Sequence, residues 1–223
     1  MSGLPDAAAA LLAEAAEWRL YGLLFEYPTA RWRENLTALL PSVRDASLRA
    51  LASEALELAS EGLHFALFGP AGTVPVREVK YRDGVQFGYL MSELSAYYEA
   101  FGYEPHVEEA ADHLAVQLGF ISYLKLKQAH ALVNSDPEHA QVTAEAAETF
   151  LRDHIAVQAQ PVLSGLENFG PDFLVEACRR VVAHSGPAPR SAFPLGSPDF
   201  EDGEDEMACG SPAAGDSLIQ LQP

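Results

Sequence analysis

From Leu114 onward the apolar residues Leu114, Leu118, Ile121 and Leu124 recur at intervals of three and four, the spacing that gathers side chains on one face of an α-helix. Gly102 and Pro105 close the helix before it, because glycine accepts a left-handed closing residue and proline cannot continue the hydrogen-bond ladder. The new helix is expected to begin near Val107, with Glu108 and Glu109 in a first turn whose positive dipole end suits carboxylates. That places Asp112 and His113 one turn inside, at a helix junction where a buried surface meets an exposed one.

The same spacing governs the remainder of the chain. Helices are expected over residues 6–27, ended by Pro28, and over 31–40. A third, capped by Ser42 or Asp45, should run to Gly62. Residues 64–82 break the pattern with Gly69, Pro70, Gly72 and Pro75, and read as a long irregular connection. Asp83 should cap a helix over 84–101. Pro137 suits the first position of a helix continuing to about Ala159 before Pro161, and Pro171 opens a last helix that Gly186 ends. No segment alternates with a period of two, so the expected fold is all-α. It is a single-domain bundle of about seven to nine helices over residues 1–186. Residues 187–223 carry seven acidic residues against the single Arg190 and are rich in proline, a composition read as a flexible acidic tail.

The net charge of −18, from 14 basic and 32 acidic residues, argues against a nucleic-acid partner and for cationic ones. No run approaches the roughly 20 apolar residues of a membrane span. With no basic region before the N-terminal alanines either, a cytoplasmic protein without membrane insertion is expected. Cys178 and Cys209 are too few for a disulfide framework or a thiolate metal site.

Dinucleotide loops, phosphate loops, nucleophile elbows and zincin helices are all missing from the sequence. The nearest approach to a metal site is His106, Glu109, Asp112 and His113, with Glu109 and His113 one helical turn apart and His154 as a further candidate. Capping and dipole partners are the competing explanation of those side chains. Phe65, Phe68, Phe87, Tyr97 and Tyr98 read as core aromatics, and Arg77, Lys80 and Arg82 as a basic cluster paired with nearby carboxylates.

Four segments carry a resemblance. Trp18-Arg19-Leu20-Tyr21, with Leu24-Phe25 and Tyr27-Pro28, is followed by Phe65-Ala66-Leu67-Phe68-Gly69-Pro70 and a loop holding Pro75. Ala111-Asp112-His113-Leu114, with Leu118, Phe120 and Leu124, comes next, then Phe150-Leu151-Arg152-Asp153-His154-Ile155. In this order, over residues 15–184, the set resembles the TorD/DmsD/NarJ family of redox-enzyme maturation chaperones, above all at Asp112-His113-Leu114. Three positions depart from that pattern. Ala111 stands where the family often has proline, Val76-Arg77-Glu78 replaces an aromatic-acidic-serine run, and Gln158 sits where tryptophan is common.

The resemblance implies a cytoplasmic chaperone with no catalysis and no cofactor of its own. Its implied partner is the catalytic subunit of a molybdenum-cofactor oxidoreductase, bound by its N-terminal, twin-arginine-type segment and held back from export or assembly until the cofactor is in place. A receptor for arginines followed by an apolar stretch needs a hydrophobic groove beside an anionic rim. The expected peptide-binding residues are Phe65, Leu67, Phe68, Pro75 and Val76 as the groove and Glu108 and Glu109 as the rim. Asp112 would pair with a client arginine and His113 would orient it. The alternative is a metal-dependent all-helical hydrolase using His106, Glu109, Asp112 and His113. Monomer and homodimer both fit the sequence, and the tail either solvates the chain or competes for the partner's arginines.

Overall fold

The computed structural model describes residues 5–82, 84, 86–105 and 107–188. Its helices are α1 (Asp6–Phe25), α2 (Ala30–Leu39), α3 (Ala46–Leu58), α4 (Glu61–Phe68), α5 (Phe87–Phe101), α6 (Leu114–Val133), α7 (Pro137–Phe150), α8 (Ala156–Phe169) and α9 (Asp172–Ser185). Short 3₁₀ turns occupy Leu40–Ser42 and Glu78–Tyr81, and a π turn, Leu151–Ile155, joins α7 to α8. The bundle is all-α, and among the described residues there is no strand. The chain divides after Arg190, and the expected tail lies outside the described residues from position 189.

Local chemistry sets most helix ends. Thr29, Asp45, Ser60 and Asp136 each accept a backbone N–H from the first turn of α2, α3, α4 and α7, using a donor the helix itself cannot satisfy. Gly102, at φ 67°, closes α5 in the left-handed conformation that a side chain would oppose.

α6 is the centre of the bundle, with Leu114 to Ser122 buried without interruption. α1 lies antiparallel to it. Gly22 faces Ala115 and Gly119, Ala15 accepts the Ser122 hydroxyl at 2.8 Å, and Glu14 meets Lys125 at 2.9 Å. A Cβ built on Gly22 would sit 3.1 Å from the Ala115 carbonyl oxygen, so glycine here permits the close backbone approach.

Several expectations need correction. α6 begins at Leu114, not near Val107, and Glu108 and Glu109 precede it in irregular backbone. The backbone from Ala110 to His113 is committed to other bonds. The His113 amide donates to Ala110, the Ala111 carbonyl accepts the Tyr98 hydroxyl, and the Asp112 carbonyl accepts the Glu78 amide. His113 is therefore the N-cap rather than an interior residue, its Nδ1 accepting the Ala115 amide at 3.2 Å.

The connection over 64–82 is shorter than expected. Ser60 caps α4, which carries helix through Phe68, and Glu78–Tyr81 is a 3₁₀ turn. Asp83 lies outside the described residues, and α5 starts at Phe87. Pro161 sits inside α8 instead of ending a helix. Its missing N–H is a local cost, outweighed by the burial of Ala159, Val162, Leu163 and Leu166.

Candidate functional site

Two neighbouring regions hold the residues singled out by the sequence, one sealed and one open. The sealed region is a strap, residues 74–82, laid across the start of α6. Arg77 and His113 form an isolated antiparallel bridge, in which Leu114 donates to the Val76 carbonyl and Glu78 to that of Asp112, both at 2.9 Å. Asp112 has no exposed surface, and Arg77 holds its Oδ1 at 2.6 Å. Glu78, equally buried, is met by Arg82, by Gln117 Nε2 at 2.5 Å and by His154 Nδ1 at 3.1 Å. Gln158 extends the network through a 2.6 Å bond to Gln117. A buried carboxylate is tolerated only with such partners. Arg77 and Arg82 are thus counterions of buried carboxylates, whereas Lys80 is exposed and forms no ion pair among the described residues.

Burial holds His113 neutral, its pKa lowered to about 3. Neutrality is what the cap requires, because a protonated imidazole has no lone pair for the Ala115 amide. Burial also lowers His64, whose ring lies edge-on to Tyr27 and Phe68.

The open region is a cleft of about 860 Å³ between the second half of α1, α2, residues 103–104 and 107–109, and α6. Leu23, Trp32, Leu39, Val107, Val116 and Leu126 give it apolar walls, and Glu26, Glu104, Glu108 and Glu109 line it as carboxylates. Trp32 is fixed by its indole N–H donating to the Leu23 carbonyl at 2.6 Å, and Tyr103 by its hydroxyl donating to Val116 at 3.3 Å. Burial pushes the Tyr103 phenol up to about 12, so it stays protonated. A second cavity, of about 490 Å³, continues from the cleft along α1, lined by Ala9, Leu12, Ala13 and Ala16 and sharing Arg19, Leu39, Ser122 and Leu126 with it.

The expected peptide-binding set is split between these regions. Glu108 and Glu109 line the cleft, although Glu109 also accepts the Tyr27 amide at 3.1 Å. Leu67 and Phe68 line a separate cavity of about 20 Å³ that Glu26 and Trp32 share. Phe65 and Pro75 are exposed, whereas Val76, Asp112 and His113 are buried. Asp112 as an open seat for a foreign arginine is corrected by this geometry, since it has no exposed surface and lies sealed under the strap that carries its partner Arg77.

The metal-site alternative meets an obstacle of placement. Among the described residues no three His, Cys, Asp or Glu side chains are arranged to hold an ion, and His106 lies outside those residues. Glu109, Asp112, His113 and His154 each face a different partner: Tyr27, Arg77, Ala115 and Glu78. No described helix is long and apolar enough to cross a membrane.

Sequence reasoning missed Glu26, Arg19, Trp32 and Tyr103. A signal for Glu26 was present, as the one charged residue in Leu23-Leu24-Phe25-Glu26-Tyr27-Pro28, seven positions after Arg19 and so on the same helical face.

The family model described as nitrate reductase delta subunit matches residues 29–161, more than half of the chain. No curated protein matches it.

Proposed function

We infer, for a chain that belongs to the nitrate reductase delta subunit family, a role as a chaperone of molybdoenzyme maturation rather than as a catalyst. From that premise we propose that it binds the N-terminal, twin-arginine-type segment of a molybdoenzyme catalytic subunit. It does so in the cytoplasm and keeps that subunit from assembly and export until its cofactor is inserted.

The observation that carries the reading is the cleft. Four carboxylates stand beside apolar walls, the chemistry that suits arginines followed by an apolar run. Glu108 and Glu109 form the rim, and Leu67 and Phe68 back the adjoining cavity that shares Glu26. Val76, Asp112 and His113 act from within, by fixing where α6 begins. Phe65 and Pro75 contribute exposed apolar surface.

Calorimetric titration with a synthetic peptide of two arginines preceding an apolar run tests the proposal. Binding that weakens with salt and with loss of the arginines is expected. Equal binding of a peptide with glutamates in place of the arginines would remove the role of the rim.

A further inference from the structure

Glu26 is the C-cap of α1 and is only 7% exposed. The carbonyl end of a 20-residue helix is an unfavourable place for an anion. Arg19, two turns earlier on the same face, supplies the compensating cation, with Nη1 and Nη2 2.5 and 3.5 Å from the two carboxylate oxygens. Its side chain is 32% exposed and lines both the 860 Å³ cleft and the 490 Å³ cavity beside it. Glu26 faces the cleft from one side and the small cavity under Trp32 and Phe68 from the other. The wall of the cleft therefore contains a nearly sealed carboxylate with a partly exposed guanidinium seated on it. Both residues precede the stretch matched by the family model.

Exchanging one guanidinium for another on Glu26 leaves the number of paired charges unchanged. A neutral side chain in the same place would leave Glu26 buried without a counterion, which is strongly unfavourable. We propose that Arg19 is a resident placeholder, displaced from Glu26 when an arginine of the client segment enters the cleft. The released Arg19 side chain turns out to solvent, to which it is already 32% exposed. This rests on the peptide-binding reading and adds to it the carboxylate that recognises the arginine and the contact that holds the seat closed without a client. Lysine is a poorer competitor, because an ammonium cannot present the paired N–H groups of a guanidinium.

The test compares a client-type peptide with its arginine-to-citrulline counterpart, which keeps the shape and loses the charge. Both are titrated into the wild type, Arg19→Met and the double variant Arg19→Met/Glu26→Gln. Arg19→Met should raise the preference for arginine over citrulline by about tenfold or more, and the double variant, which keeps the Glu108 and Glu109 rim, should return it to about the wild-type value. An unchanged preference in Arg19→Met overturns the placeholder. A readout independent of variant folding is the ¹⁵Nε resonance of Arg19 in the wild type. It should shift with the arginine peptide and not with the citrulline one, and a resonance that ignores both overturns the proposal. If neither peptide binds the wild type at all, the peptide-binding reading falls first and takes this inference with it.

Discussion

Arg77 reaches across from the strap to hold Asp112 at 2.6 Å, and with the two backbone bonds of the bridge this contact ties the strap to the start of α6. Asp112 is fully buried while Arg77 is partly exposed, so the two ends of the pair are not equivalent. Arg77→Ala should destabilise the protein by roughly 3–5 kcal/mol, because it leaves the fully buried Asp112 carboxylate without its cation and with only the Val79 amide contact. Asp112→Ala should cost less, because the Arg77 side chain, 39% exposed, can turn to solvent. Urea denaturation of both variants checks this, and a loss below about 1 kcal/mol for Arg77→Ala would show that the pair is not formed.

Glu78 makes the same argument deeper in the core, where Arg82, Gln117 and His154 converge on it. Glu78→Ala is expected to cost about 3–5 kcal/mol, whereas Gln158→Ala, at the edge of the network, should cost about 1–2 kcal/mol. Thermal unfolding of the two variants should rank them in that order.

Acid should weaken the fold through His113. Its folded pKa, lowered to about 3, lies below the ordinary histidine value of 6.5, so the unfolded chain takes up the proton first as pH falls. Stability is complete above about pH 6.5 and declines below it, by up to about 1.4 kcal/mol per pH unit. His64, lowered in the same direction, adds to the slope. Denaturation of wild type and His113→Asn at pH 7.5 and 5.5, values chosen to bracket this window, should show a shallower pH dependence in the variant.

Glu108 is exposed at the cleft rim and, among the described residues, bonds to no backbone group, unlike Glu109, which accepts the Tyr27 amide. Glu108→Gln should weaken binding of an arginine-bearing peptide by about two- to fivefold and flatten its salt dependence, the range of a solvated ion pair. Protein stability should not change. Titrations at low and high salt provide the measurement.

Gly22 faces backbone rather than the tip of a flexible side chain, so the approach of α1 to α6 leaves no room for a branched residue. Gly22→Val should cost about 1–3 kcal/mol and widen the cleft. A melting temperature equal to the wild type would show that the helices do not approach as described.

The helices with strong apolar spacing and small polar caps were legible from the sequence. Asp45 and Pro137 announce α3 and α7, and Gly102 marks the end of α5. What could not be read depended on partners distant in the chain. Glu108 and Glu109 suit a helix start, yet α6 begins later because Val76 and Glu78 take the backbone groups around Asp112 and Leu114. Phe65, Leu67 and Phe68 read as part of a loop because Gly62, in the first turn, and Gly69, just past the end, punctuate a helix only eight residues long. Asp112 looked available because its counterion comes from 35 positions away. The cleft itself is a gap between α1, α2 and α6, and local periodicity contains no information on gaps.

The π turn at Leu151–Ile155 carries one residue more per turn than the helices on either side of it. It works as a phase shifter: each residue in a helix advances the azimuth by about 100°, so removing one here would spin α8 by that angle against α7. His154 would swing away from Glu78, and Gln158 from Gln117. Chain length is consequently constrained most tightly at a place with no glycine, no proline and no exposed loop to advertise it.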